Sequence, residues 1–123
     1  MATNTATARE IVERYQKALG SKDFKGARGL LSDDLEFHGP IDTFHRADDY
    51  IKAIQQLASI IQRIEPRKTF VDGPDVCFIY NMVTNTPAGT APVAEWYRVA
   101  GDRIKAIDVF FDARPFAPPP ASR

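Results

Sequence analysis

Two side chains in this sequence are placed to do proton chemistry from inside an apolar setting, Tyr15 and Glu95. Tyr15 lies on the apolar stripe of a helical segment with Ile11, Ala18 and Leu19. It is either a core residue with its hydroxyl at the edge, or a donor in a pocket where exclusion of water strengthens the hydrogen bond it gives. Glu95 interrupts the apolar run Pro92-Val93-Ala94-Glu95-Trp96-Tyr97. It either reaches solvent at a sheet edge and pairs with Arg98 or Lys105, or is a buried carboxyl kept neutral so that it can donate a hydrogen bond or act as an acid. In the second case Tyr15 and Glu95 form a two-donor polar end of an otherwise apolar cavity. His38 and His45 are the only histidines. Either is a proton acceptor suited to neutral pH, or a solvated loop or strand-end residue. Strand alternation points His38 away from the pocket face unless a bulge intervenes.

Other chemistry is sparse. The single cysteine, Cys77, sits in an apolar run and reads as an inert thiol without a basic neighbour. There is no His-x-x-x-His pair, no Cys/His cluster, no glycine-rich phosphate loop and no Ser-His-Asp order, so neither metal nor cofactor is expected. Lys+Arg and Asp+Glu both number 16, which leaves no net charge to attract nucleic acid or an anionic membrane. No segment has the character of a signal peptide or approaches the ~20 apolar residues of a membrane span, so the expected location is cytoplasmic.

The elements that must position these groups are legible as periods. The 123 residues form a single domain with an ordered core over about 7–116 and a Pro-rich tail from Pro115 to Arg123; residues 1–6 read as a flexible lead-in. A helix is predicted from Thr7 to Leu19, with Thr7 and Glu10 as a capping box and Gly20 as its stop. A short helix from Phe24 to Leu31 follows, capped by Asp23 and ended by Ser32-Asp33-Asp34. Leu35 to His38 is a strand broken by Gly39-Pro40. A third helix runs from Ala47 to Ile61, its first turn carrying Asp48 and Asp49. Four strands with turns between them then form an antiparallel meander: Glu65–Val71, Val76–Thr84, Pro92–Ala100 and Ile104–Asp112.

Several of these strands are apolar on both faces, so both faces are expected to be covered. The inner face would enclose a pocket for a small apolar molecule, lined by Phe24, Phe37, Tyr50, Ile54, Leu57, Phe78, Tyr80, Tyr97, Val109 and Phe111, with Leu35 and Val93 beside them. Trp96 and Arg98 would face outward, a pairing typical of interface centres, and a homodimer is expected through that face.

This order of elements resembles the nuclear transport factor 2-like fold, an α+β cone in which a curved antiparallel sheet wraps around helices. It is shared by ketosteroid isomerases, limonene epoxide hydrolases and SnoaL-like polyketide cyclases. The phrases that carry the resemblance are Leu31 to Pro40, Ala94 to Val99, and Gly101 to Asp112 with its ending Phe110-Phe111-Asp112. Similarity to ketosteroid isomerase implies that Tyr15 and Glu95 are oxyanion donors and Phe111 a pocket wall. It also implies that the base position, an aspartate before a proline in that family, is held here by Gly39, with His38 the nearest titratable group. Similarity to the epoxide hydrolases implies an Arg-x-Asp pair that the stretch Phe78 to Thr84 lacks. The resemblance thus implies a cofactor-free isomerase or cyclase acting on an apolar carbonyl compound, with His38 moving the proton. Its alternatives are a non-catalytic binding or accessory module and an epoxide hydrolase relative.

Overall fold

The structure is a computed structural model that describes residues 7–116; the lead-in and all of the Pro-rich tail beyond Phe116 lie outside the described residues. Helix α1 spans Ala8–Gly20. Its capping box forms: Thr7 Oγ1 accepts from the Glu10 amide at 3.2 Å, and Glu10 Oε1 accepts from the Thr7 amide at 3.0 Å. Its buried stripe is Ile11, Val12 and Tyr15. Helix α2 spans Phe24–Gly29 behind the Asp23 cap.

Strand β1 runs over Leu31–His38, so Ser32-Asp33-Asp34 belongs to the strand rather than ending the helix. A register shift lies between Leu31 and Glu36, and Leu31 and Leu35, four residues apart, are both buried. Arg28 holds Asp33 at 2.6 Å at the start of the strand. Strand β2, only Thr43–Phe44, folds back on β1 and pairs Phe37 with Phe44. The Gly39 amide closes the turn between them on the Asp42 carbonyl at 2.9 Å.

Helix α3, Ala47–Leu57, ends a turn earlier than its apolar stripe predicts. Ile61 is claimed by strand pairing with Thr84. Strands β3 (Ile61–Asp72), β4 (Asp75–Thr84), β5 (Thr90–Ala100) and β6 (Arg103–Phe110) form the expected antiparallel meander. Gly73 and Gly101 take left-handed backbone at φ 59° and 64° in the two-residue hairpins of β3–β4 and β5–β6. The sheet order is β2-β1-β6-β5-β4-β3, and β1 runs parallel to β6. The sheet is therefore mixed and open, not wholly antiparallel.

Register assigns the faces. Phe78 of β4, Glu95 of β5 and Val109 of β6 share one row on the concave face toward the helices. Cys77, Trp96 and Asp108 share the next row, on the convex face. The concave rows and the α1 stripe make one core in which Leu31, Leu35, Ile104 and Ile107 are fully buried. Burying side chains of this size contributes roughly 1.5–3 kcal/mol each.

Candidate active site

A cavity of about 380 Å³ opens between the concave face, α3 and the β1–β2 hairpin. Of the side chains expected to line it, Phe37, Tyr50, Ile54, Leu57, Tyr80, Val109 and Phe111 do. Val93, read as standing beside them, is also on the wall. Three do not. Tyr97 is buried behind the wall, Phe24 packs against the core, and Phe78 borders a separate crevice under α1. Leu35 is likewise core.

Glu95 lies on the cavity wall. Its Oε2 accepts from the Tyr80 hydroxyl at 2.8 Å, and its Oε1 accepts from the Tyr97 hydroxyl. The carboxyl keeps some accessible surface because it borders the cavity, but protein surrounds it. Loss of hydration raises its pKa above the ordinary carboxylate value, and the two phenol donors pull the other way without cancelling the rise. Glu95 pairs with neither Arg98 nor Lys105: Arg98 is on the convex face, bonded to Asp75 at 3.1 Å.

All four tyrosines of the chain gather around this carboxyl. Tyr15 and Tyr50 share a hydroxyl hydrogen bond of 2.6 Å, and Tyr15 meets Tyr97 edge-on with ring centroids 5.9 Å apart. Burial raises each phenol's pKa, chiefly through desolvation, so all four remain protonated. Tyr15 is only 1% exposed and does not border the cavity; Tyr50 stands between. The polar end is therefore Tyr50, Tyr80 and Glu95, with Tyr15 and Tyr97 supporting them from behind.

His38 lies on the other side of the sheet. No bulge intervenes at this point: Phe37 pairs with Ile107 on the concave face and His38 with Asp108 on the convex face. Its ring is half exposed, with Nε2 3.8 Å from Glu36 Oε1, while His45 Nδ1 approaches the same oxygen at 2.9 Å. Gly39 does border the cavity; a Cβ there would lie 3.1 Å from the Phe37 ring.

Sequence reasoning missed Asp42, which lines the mouth beside Gly39 and Pro40, and Phe44 and Phe116, which add rings to the wall. The Gly-Pro turn four residues before an aromatic was the available signal for Phe44 and Asp42, since it marks a hairpin end. Among the described residues, no group of three or more His, Cys, Asp or Glu could hold a metal ion, and no helix is long and apolar enough to cross a membrane.

On the convex face, Trp96 Nε1 donates to Asp75 Oδ1 at 2.8 Å and the Arg98 guanidinium lies 5.1 Å from the Trp96 ring centroid. Phe70 and Phe110 beside them are more than half exposed.

Several solved structures share this architecture. An NTF2-like protein of unknown function from Cytophaga hutchinsonii superposes with a TM-score of 0.79 at 26% identity, over 94% of this chain and 98% of the other. A candidate ketosteroid isomerase from Kribbella flavida gives 0.77 at 17% identity, over 97% and 88%. A candidate polyketide cyclase from Sinorhizobium meliloti gives 0.76 at 14% identity, over 82% and 94%. At the identities of the last two, the likeness is one of fold, and this fold hosts many functions. No curated protein sequence gives a significant match. The SnoaL-like domain family matches residues 12–107, most of the chain from the first helix to the last strand. The chain belongs to the SnoaL-like family, within the nuclear transport factor 2-like superfamily.

Proposed function

We propose that this domain binds a small apolar carbonyl compound in the cavity and polarises its oxygen through Glu95, which the Tyr80 and Tyr97 hydroxyls hold in place, as a cofactor-free isomerase or cyclase would. The observation that carries this reading is a carboxyl set in the wall of an apolar cavity and positioned by two phenols, where loss of hydration favours its protonated form. A neutral carboxyl can hand a proton to an oxygen that gains charge, and a dry site strengthens that interaction. Losing such a donor typically costs about 3–4 kcal/mol of transition-state stabilisation. A non-catalytic binding module is the second reading. What favours it is that neither position the sequence associates with the base supplies one to the cavity: His38 lies across the sheet and Gly39 has no side chain. The hydrolase alternative is weakened by a wall with no arginine among the described residues.

One experiment addresses both readings. An aryl ketone such as 2-acetylnaphthalene is titrated with protein in deuterated buffer, following its ultraviolet band and the exchange of its methyl protons. A red-shifted band that reverts in Glu95→Gln supports the polar site. Exchange lost in the same variant supports catalysis, and binding without exchange supports the module. A band indifferent to both Glu95→Gln and Tyr80→Phe overturns the assignment.

We also propose a homodimer through the convex face. Phe70, Trp96 and Phe110 present apolar surface there while Asp75 and Arg98 bring both signs of charge, so a two-fold contact meets its own complement.

A further inference from the structure

The wall of the cavity has a one-sided charge inventory. Among the described residues it contains no lysine, arginine or histidine. Its ionisable groups are two carboxyls, Glu95 deep in the wall and Asp42 at the mouth, and two phenols, Tyr50 and Tyr80. The remaining polar side chain is Gln56.

The same wall is unusually rich in rings. Six aromatic side chains border it: Phe37, Phe44, Tyr50, Tyr80, Phe111 and Phe116. Phe37, Phe44 and Tyr50 form a trio from three different elements, with centroids 4.6, 5.8 and 6.2 Å apart. This trio adjoins the hairpin end. Gly39 fits between the Phe37 ring and the Asp42 carbonyl, 3.1 Å from one and 3.5 Å from the other when measured from an added Cβ. Asp42 itself is exposed.

Ring faces carry negative potential and attract cations, more so where water is excluded. A carboxylate at the rim does the same, and a carboxylate ligand would lose its hydration without meeting a positive charge on the wall. Among the described residues only uncharged donors, the Tyr50 and Tyr80 hydroxyls and the Gln56 amide, could offset part of that cost.

We infer that the cavity selects its ligand by charge, taking an apolar molecule that bears a protonated amine and excluding carboxylate-bearing ones. The inference rests on the reading of the cavity as a ligand site. The ammonium sits against the Phe37–Phe44–Tyr50 rings with Asp42 at the rim, and the rest of the molecule, its carbonyl group included, extends toward Glu95.

A matched set of probes tests this: 2-naphthylmethylamine, 2-naphthylmethanol and 2-naphthoate, each titrated by calorimetry against the full chain at pH 7 and low salt. The three share one ring system and differ in charge. The expected order is amine, then alcohol, then carboxylate, with amine and carboxylate separated by tenfold or more. Asp42→Asn, an exposed substitution that leaves the core alone, is expected to narrow that gap at least threefold. Equal or tighter binding of naphthoate overturns the inference, as does a gap unaffected by Asp42→Asn. Binding of the alcohol without the amine overturns the charge inference and leaves the ligand site standing. Binding of none of the three removes the ligand site, and this inference with it.

Discussion

Replacing Tyr80 with phenylalanine removes one oxygen from a side chain only 7% exposed, and leaves Glu95 Oε2 without its donor. No sizeable void results, so the cost is the hydrogen bond itself. That cost depends on the charge of Glu95. A neutral hydrogen bond is worth about 0.5–1.5 kcal/mol net, and one to a charged group about 1.5–3 kcal/mol. Glu95 has a pKa raised in the folded state by burial, and the Tyr80 hydroxyl is one of the groups that lower it. A carboxyl of this kind binds its proton more tightly folded than unfolded. Stability is therefore full below the unfolded carboxylate pKa and declines as pH rises through the folded one. Tyr80→Phe lifts the folded pKa further, so the decline extends to higher pH and grows. Urea unfolding of wild type and variant is expected to give a small difference at pH 4, about 1 kcal/mol, and about 1.5–3 kcal/mol at pH 8. In a Glu95→Gln background the pH dependence of that difference is expected to vanish. An equal difference at both pH values, or a pH dependence of the difference that persists with glutamine at position 95, would refute the idea that Tyr80 stabilises a buried carboxylate.

Further outcomes follow from the packing. Leu35→Ala, at a fully buried position of β1, is expected to lower stability by about 2–5 kcal/mol in thermal or urea unfolding. Gly39→Asp would restore a carboxyl before Pro40, but its Cβ would press on the Phe37 ring at 3.1 Å. Weaker binding of 2-acetylnaphthalene is expected rather than a gain in methyl-proton exchange, as the same titration would show. Trp96→Glu places a charge at the centre of the exposed convex patch and is expected to shift a dimer to monomer in sedimentation equilibrium without loss of helical circular dichroism.

What the sequence disclosed and what it hid divide along the range of the interactions. The Thr7–Glu10 capping box, the Asp23 cap and the two-residue hairpins are local, and their residue types announce them. The end of α3 was masked because Ile60 and Ile61 continue its apolar stripe. Only a distant partner, Thr84, draws Ile61 into β3. The start of β1 was masked in the same way: Ser32-Asp33-Asp34 reads as a helix stop, yet pairing of Leu31 with the distant Ile104 and the bond from Arg28 to Asp33 carry the segment into the strand. A two-residue strand such as β2 has no period to detect, and a parallel β1–β6 pairing leaves no mark in either segment. At the site, Glu95 stood out as a charge at an inward-facing position between Val93 and Tyr97. Which tyrosine borders the cavity could not be read from helix periodicity, because Tyr15 and Tyr50 lie on stripes that differ only in depth. Asp42 lay in a loop where neither period applies.

The most direct measurement of the central claim is the carbon-13 carboxyl titration of Glu95 by nuclear magnetic resonance, alone and with saturating 2-acetylnaphthalene, assigned by comparison with Glu95→Gln. The expected result is a midpoint above the ~4.3 of an unperturbed glutamate, which moves when the ketone binds. A midpoint in the ordinary range that is indifferent to the ketone would contradict a buried, ligand-facing acid and leave the cavity without its chemistry.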